Sequence, residues 1–367
     1  MRIPWLFSRY LAKKFLLTFF AVLFVLAALI LLFDVIDLLR RAASKEYVNF
    51  FDVVRLGLFK VPQTLPVILP FTILIAAIIT FLLLSKTHEL VIARSAGLSV
   101  WNFLTPIFIV VSLVGIINIT LINPFATAMI RRYQYEEEET MHRKTAGFSW
   151  NEKGLWLREK MGDTPVVIHA DSVYQNNKDL ELRGVLVLSL NADETLKKQI
   201  EAKSGLLSGY TLVVNNGTSY TPEGEREEGI QMHIPTQLDL EKIVQTFDAP
   251  EEISFWKLPR FIKLLNDAGF SSLKHKMHFY STLASIFYFI AMVFIAAMFT
   301  LSPNQRQGGI LMKSANAVFF GFVLFFISKL TSALGVSGNL PIFLAVFGPS
   351  IIMIFIAASV LLRNEDG

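Results

Sequence analysis

Six long apolar stretches, divided three and three by one polar block, constrain this chain more than any other feature. The stretches lie at about residues 15–33, 56–84, 103–122, 280–301, 315–334 and 341–362. A bilayer core requires about 20 consecutive apolar residues in a helix. The sequence therefore predicts an α-helical polytopic membrane protein with six transmembrane helices. The predicted divisions are residues 1–122, an inserted extramembrane domain at 123–276, and residues 277–367.

The composition supports a membrane protein. Hydrophobic residues make up 53% of the 367 residues, and 32 of them are Phe, which is unusual for a soluble domain. The basic start resembles a secretory signal, but the first apolar core is too long for one and no small-residue cleavage site follows it. We therefore expect a retained first helix. In the second stretch, Pro62, Pro66 and Pro70 predict a kinked or broken segment packed against protein.

The distribution of Lys and Arg in the short loops predicts the orientation, because cytoplasmic loops are enriched in these residues. One side of the predicted bundle carries Arg2, Arg9, Lys13, Lys14, Lys86, Arg94, Arg306, Lys313 and Arg363. The loop at residues 335–340, on the other side, contains no basic residue. We therefore expect both termini in the cytoplasm and the inserted domain on the outer side of the membrane.

The inserted block changes its periodicity along its length. Residues 131–139 predict a helix that leaves the membrane, and we expect its four glutamates to form a solvated face. Beyond Gly147, short β-rich runs alternate with Asn, Asp and Gly clusters, which predicts an antiparallel, jelly-roll-like β sandwich. Asn215-Asn216-Gly217 predicts a hairpin turn. Ser254 and Gly269 suit the start and the stop of a short helix, and the absence of cysteine excludes a disulfide.

The sequence contains no recognisable catalytic site. In Gly308–Ser314, Met312 occupies the place where a phosphate-binding loop needs glycine before lysine, so we expect no nucleotide site. His275 and His278 lie three residues apart, a pair that is more often structural than metal-binding. We therefore expect neither a metal nor another cofactor on this chain.

Charged residues near the outer ends of the predicted spans are more informative. They are Asp34, Asp37, Arg40, Arg41, Arg55, Lys60, Arg131, Arg132 and Lys329. Ionisable groups at such depth usually face a bundle interior or a cavity. The cations could form a basic ring for a ligand with phosphates and acyl chains. Alternatively, each cation snorkels or pairs with Asp34, Asp37 or Asp52, and the residues alone do not decide between these two interpretations.

A short segment between the second and third spans carries a second functional signal. Residues 89–96 predict an amphipathic helix along the cytoplasmic face, stopped by Gly97. Such a helix is either a simple connector or a docking element for a soluble motor that this chain lacks.

Taken together, these features resemble the LptF/LptG family of lipopolysaccharide-export permeases. The resemblance rests on the 3+3 topology with a β domain between spans three and four, on residues 89–97, and on Gly338–Pro341 with Phe347–Pro349. Residues 33–41 look more like the LptG branch than the LptF branch. Asp34 departs from the pattern, because family members often carry a basic residue there, and Lys329 lies where some relatives are acidic.

The resemblance implies the transmembrane part of an ABC exporter. An LptF–LptG pair would sit on a dimer of the ATPase LptB, which uses ATP, and would associate with LptC. Lipopolysaccharide would pass from the outer leaflet to a periplasmic bridge, with the first and fifth spans as gate helices. The residues it implies for the lipid head group are Asp37, Arg40, Arg41, Arg131, Arg132 and, on the fifth span, Lys329. Glu89 and Arg94 would belong to the coupling helix that enters the ATPase.

Two other classes of membrane protein compete with a lipid exporter. A mechanotransmitting permease uses a partner's ATP to move its outer domain, but such proteins typically have four spans with that domain after the first. A scaffold protein without an ATPase partner predicts that charge changes at Glu89 have no effect. An intramembrane enzyme fits least, because no paired catalytic groups lie within the spans.

Overall fold

The computed structural model describes most of the chain. The described residues are 5–43, 49–95, 97–141, 148–151, 154–161, 164–176, 179–191, 195–208, 211–222, 224–235, 249–301 and 309–366. Arg2, Arg306 and Gly308, used above, lie outside them. The chain forms two compact units. A helical unit comprises Met1–Met141, Glu251–Leu258 and Leu273–Gly367, and a β unit comprises His142–Pro250 and Pro259–Ser272.

The helical unit confirms the six predicted spans. Six of its helices are long and apolar enough to cross a membrane. The helices of this unit are α1 (Trp5–Ala42), α2 (Phe50–Lys86), α3 (Glu89–Ser95), α4 (Val100–Ile117), α5 (Asn123–Met141), α7 (Leu273–Thr300), α8 (Ile310–Val336) and α9 (Ile342–Asp366). One end of this unit, hereafter the α3 end, carries α3, and the other end, hereafter the far end, carries the end of α1 at Ala42 and the start of α2 at Phe50.

The prolines of α2 do not break it. The helix is continuous from Phe50 to Lys86 with Pro62, Pro66 and Pro70 inside it, so of the two expected outcomes, a kink or a break, the break does not occur. Pro62 and Pro70 are buried, and 67% of the most apolar window of α2 is buried within the unit. Packing on both sides therefore compensates for the backbone hydrogen bonds that the prolines remove.

A π-helix interrupts the third span. Between α4 and α5, residues Asn118–Ile122 adopt π geometry, and the whole helical segment from Val100 to Glu137 has the apolar length of one span. Thus α5 continues the third span away from the α3 end, as predicted for a helix that leaves the membrane. Single π-turns inside helices often occur at functional sites.

The core of the helical unit joins α1, α2, α4, α7, α8 and α9. Its largest fully buried side chains include Phe15, Phe81, Phe103 and Phe289. A hydrogen bond of 2.9 Å between the hydroxyls of Thr18 and Thr80 also ties α1 to α2. A smaller apolar cluster holds α1, α2 and α5 together at the far end.

The β unit is antiparallel, as predicted. Its described strands are β1 (Phe148–Asn151), β2 (Gly154–Met161), β3 (Thr164–Asn176), β4 (Asp179–Leu190), β5 (Leu196–Ser208), β6 (Thr211–Tyr220) and β7 (Arg226–Pro235). Each strand pairs with the next in sequence, which gives one seven-stranded meander. The jelly-roll connections that we expected are not confirmed by these strands.

The hairpin predicted at Asn215–Gly217 is wrong. These residues lie inside β6, where the register with β7 shifts between Val214 and Gly217. Asn216 adopts a φ of 52°, a left-handed conformation that Asn tolerates better than most residues. The Asn-Asn-Gly sequence therefore marks a β-bulge, because the same residues that form tight turns also accommodate an extra residue in a strand.

The short helix near the end of the β unit stops where the sequence predicts. Helix α6 spans Leu258–Asp267, and Gly269 follows it with a φ of 82°. The amide of Gly269 donates to the carbonyl of Asn266, and that of Phe270 donates to the carbonyl of Leu265, a Schellman motif. Leu265 and Phe270 then pack into the apolar core of the sheet. The helix begins at Leu258, one turn later than Ser254 suggested.

Candidate functional site

The far end of the helical unit carries a network of charged side chains on an apolar platform. Leu38, Val53, Leu56, Ile130 and Tyr133, from α1, α2 and α5, are buried together there. This packing fixes the positions of the three helix segments and therefore of the polar side chains that project from them. The network lies on the surfaces of the same three segments.

Two predicted head-group residues of α1 pair with each other. Arg41 donates a 2.6 Å hydrogen bond to Asp37, one helical turn away, and lies 3.8 Å from a carboxylate oxygen of Glu137 on α5. Arg40, by contrast, is exposed, and no carboxylate oxygen of the described residues lies within 4.0 Å of it. Arg40 is therefore available to a ligand, while Arg41 must exchange a partner to bind one.

A second part of the network centres on Glu136 of α5. Its carboxylate accepts a 2.9 Å hydrogen bond from Arg55 of α2 and lies 3.5 Å from the guanidinium of Arg132. Both arginines also lie over the ring of Phe59. The expected solvated face is thus wrong for Glu136 and Glu137, whose carboxylates neutralise arginines from neighbouring helices. Arg131 is exposed beside Arg132.

Asp34 and Asp52, which are not among the predicted head-group residues, have structural partners. Lys60 of α2 donates a 2.6 Å hydrogen bond to Asp34 of α1. Asp52 accepts the backbone amide of Asn49 at 3.2 Å and completes a capping box at the start of α2. The ion pairs of Lys60 and Arg41 therefore agree with the interpretation that the basic residues snorkel or pair with nearby aspartates. Among the predicted head-group residues, Arg40 and Lys329 have no ion-pair partner in the part of the chain that the structure describes.

At the α3 end, Glu89 is held by three donors on its own chain. One oxygen of its carboxylate accepts hydrogen bonds from Thr87 at 2.8 Å, Tyr10 at 3.1 Å and Lys14 at 3.2 Å. Burial raises the pKa of this carboxyl, but the hydrogen bonds from Thr87, Lys14 and Tyr10 outweigh that effect and leave the pKa below its ordinary value. Glu89 therefore carries its negative charge and ties α3 to α1.

The other predicted coupling residue, Arg94, lies on α3, but its side chain falls outside what the structure describes. Neither Tyr10 nor Lys14 was expected to contact Glu89. Their spacing of four residues places them on one face of α1, and this was the only signal in the sequence that could have suggested the contact.

A cavity of about 330 Å³ with both polar and apolar walls lies within the far half of the helical unit. Its walls come from α2, the π-helix, α5, the segment at Glu251, α7, α8 and α9, and they include Lys329, His278 and Asn118. Lys329 is therefore not brought together with the arginines of α1. His278 lies 4.0 Å from Glu251, and no pattern in the sequence predicts that either residue shares a cavity with Lys329.

Comparison with known families decides the identity of the chain. The family model described as the lipopolysaccharide export system permease LptF/LptG matches residues 9–363, so the match includes all six spans and the inserted β unit. The chain belongs to the LptF/LptG family. A search of curated proteins found no significant match.

Membership of the LptF/LptG family makes this chain a multi-pass permease of the lipopolysaccharide export system. The comparison does not separate the LptG branch from the LptF branch.

Proposed function

We propose that this permease is the transmembrane subunit of an ABC exporter that extracts lipopolysaccharide from the outer leaflet of the bacterial inner membrane. It passes the lipid to a periplasmic bridge. ATP is hydrolysed by an LptB-like ATPase dimer, and the chain itself binds no cofactor. The observation that carries this proposal is the family match over residues 9–363, since it includes both halves of the helical unit and the domain between them.

The orientation follows from the basic residues at the α3 end. Lys13, Lys14 and Lys86 lie at that end of α1 and α2, which the positive-inside rule places in the cytoplasm. The far end then faces the periplasm, as does the β unit. The termini are cytoplasmic in this arrangement, and α3 is accessible to a soluble ATPase.

The far-end network supports a site for the phosphorylated head group. Arg41, Arg55 and Arg132 keep 55% to 57% of their side chains exposed despite their ion pairs. Exposed ion pairs contribute only about 0–1 kcal/mol each, so a phosphate can replace the carboxylate partner at low cost. Guanidinium groups bind phosphate through two parallel hydrogen bonds. We assign Arg40, Arg41, Arg131 and Arg132 to the phosphates, with Asp37 orienting Arg41.

The exposed faces of α1 and α8 support an interface with a second subunit. Only 11% of the most apolar window of α1 and 17% of that of α8 is buried, against 39% to 67% for the other four spans. Phe20 and Phe24 of α1 and Phe319 and Phe326 of α8 are each more than 60% exposed. These two spans are the proposed gate helices, which face an LptF- or LptG-like partner, lipid substrate and an LptC-like helix.

We assign the coupling function to α3, with Glu89 and Arg94 as its coupling residues. A seven-residue helix at the cytoplasmic face is short enough to enter a groove on the ATPase, and its first residue is bonded to α1. Movement of α3 is therefore transmitted to α1, one of the proposed gate helices. This contact gives the chain a direct mechanical path from the ATPase to the lipid site.

A pull-down of the tagged protein from solubilised membranes tests the proposal. Mass spectrometry of the proteins and lipids should recover a soluble ATPase, a second six-span subunit and lipopolysaccharide. Recovery of the protein alone with ordinary phospholipid would contradict export and favour a scaffold. Recovery of an ATPase without lipopolysaccharide would favour a mechanotransmitting permease.

A further inference from the structure

The cavity of the helical unit contains buried polar atoms that lack hydrogen-bond partners among the described residues. Asn118 is 3% exposed, and its Oδ1 accepts no hydrogen bond from the described residues. Nε2 of His278 is also buried without a partner among them. Leaving a buried polar atom unsatisfied costs about 1–3 kcal/mol. A cavity of about 330 Å³ is at the lower end of the size of small-ligand sites, so a ligand that supplies donors would recover this energy.

The cavity wall offers several hydrogen-bond acceptors, and its lining also includes the hydroxyls of Tyr288 and Ser328. The hydroxyl groups of Ser281, Thr282 and Ser285 already donate to backbone carbonyls, at 2.9, 2.8 and 2.7 Å, so only their oxygen lone pairs remain for a ligand. Pro66 also lines the cavity. Its carbonyl would normally accept from the amide four residues later in the helix, but that residue is Pro70, which has no amide hydrogen. A group with several N–H donors, such as a primary ammonium, matches this wall.

Two opposite charges also line the cavity. Lys329 of α8 is exposed and has no carboxylate oxygen of the described residues within 4.0 Å, while the side chain of Glu251 is 58% exposed. A purely anionic ligand would meet Glu251, and a purely cationic one would meet Lys329. A zwitterion with an ammonium group and a phosphate satisfies both residues.

The position of the cavity indicates that the zwitterion belongs to a lipid. Lys329 lies seven residues before the end of α8 at Val336, or about 10 Å at 1.5 Å per residue, which is near the level of lipid head groups. Val67, at another edge of the cavity, is 53% exposed. The cavity therefore opens at exposed residues of two membrane spans, Val67 of α2 and Lys329 of α8.

We propose that this cavity binds the head group of an aminophospholipid of the phosphatidylethanolamine type. Lys329 contacts the phosphate. Glu251, Asn118 Oδ1 and the carbonyl of Pro66 accept hydrogen bonds from the ammonium. The site is distinct from the arginines of α1, none of which lines the cavity, and it assigns Lys329 to a phospholipid rather than to lipopolysaccharide. Binding of this lipid requires no ATPase and does not depend on the export function.

The test compares three lipids with identical acyl chains, bearing ethanolamine, choline or glycerol head groups. Their dissociation constants are measured by native mass spectrometry on the delipidated full-length protein. Choline keeps the positive charge but has no N–H to donate, so the ethanolamine lipid should bind about tenfold more tightly, as expected from the loss of one or more charged hydrogen bonds. Lys329→Gln and Glu251→Gln should each weaken that binding by about tenfold. The matched control, Lys13→Gln, removes a lysine at the α3 end and should leave it unchanged.

Three results would overturn the proposal. Equal affinity for the ethanolamine and choline lipids, or an unchanged affinity in Glu251→Gln, would show that the cavity has no site for the ammonium group. Tighter binding of the glycerol lipid would make the cavity an anion site. Displacement of the ethanolamine lipid by added lipopolysaccharide would assign the cavity to the exported lipid. Crosslinking of lipopolysaccharide at Arg40 in the same preparation reports separately on the proposed function.

Discussion

Lys14 of α1 donates a 3.2 Å hydrogen bond to the carboxylate of Glu89, the first residue of α3. The two side chains are 19% and 28% exposed, so solvent screens them less than it screens a surface pair. Tyr10 bonds to both of them. A proposed coupling residue is thus anchored to a proposed gate helix of its own chain.

Reversing the charges of this pair tests whether it transmits force. Glu89→Lys and Lys14→Glu should each lower lipopolysaccharide export, because each places like charges together. The double variant should recover part of the lost activity, since the pair is restored in the opposite sense. Export is measured in reconstituted vesicles, with total ATPase activity recorded in parallel.

Lys13→Glu is the matched control for these variants, because Lys13 is the exposed neighbour of Lys14 on α1. Its export should match that of the unmodified protein. If Lys14→Glu has no effect while Glu89→Lys abolishes export, then Glu89 acts on the ATPase alone and the tie to α1 carries no force.

The lowered pKa of Glu89 predicts that the contact persists in mildly acidic solution. A carboxyl whose folded pKa is depressed contributes stability above the pKa of the unfolded chain, and this is lost only as the pH falls through the folded value. The distance between α1 and α3 should therefore not change between pH 8 and pH 5.5. Spin labels at Leu6→Cys and Ile92→Cys measure it, and the chain has no cysteine of its own. A change above pH 5.5 would contradict the assignment.

Arg40 should contribute more to lipid binding than its paired neighbour. Arg40 is exposed without a carboxylate partner in the described chain, whereas binding by Arg41 must displace Asp37. Arg40→Gln should lower crosslinking of lipopolysaccharide at the far end by about tenfold, the effect of one charged hydrogen bond. Arg41→Gln should lower it less. Arg363→Gln, an exposed change near the end of α9, is the control. Unchanged crosslinking in Arg40→Gln would mean that Arg40 only snorkels.

Removal of Glu136 should release two arginines. Glu136→Gln ends the ion pairs with Arg55 and Arg132. Since both arginines are more than half exposed, the free energy of unfolding should fall by less than about 1 kcal/mol. Binding of lipopolysaccharide should then rise by up to about fivefold. Glu181→Gln breaks an exposed pair in the β unit and should change neither quantity. Weaker binding in Glu136→Gln would show that Glu136 supports the lipid site.

The sequence predicts the fold well where one physical signal dominates. Apolar length located all six spans, because the backbone of a spanning segment must satisfy its own hydrogen bonds. The break expected in α2 did not occur, since burial of Pro62 and Pro70 depends on neighbouring helices that a local pattern does not contain. Asn215–Gly217 similarly suits a turn and a bulge equally well, and only pairing with β7 decides between them.

The candidate sites were less predictable, because they depend on contacts between distant segments. Glu89 was identified from its own helix, but its partners Tyr10 and Lys14 lie 79 and 75 residues away. Glu136 was interpreted as solvated because four adjacent glutamates normally are, and its arginine partner on α2 lies 81 residues away. The cavity needed seven segments to meet, and no pattern in any one of them predicts it.

The measurement that tests the central claim most directly is ATP-driven release of lipopolysaccharide from vesicles. The vesicles contain this chain with its co-purified subunits, and a soluble acceptor domain captures the released lipid. The account predicts release that requires ATP and this chain, and that falls in Arg40→Gln and in Glu89→Lys. ATP hydrolysis without any transfer of lipopolysaccharide to the acceptor, in a complex with all its subunits, would contradict it.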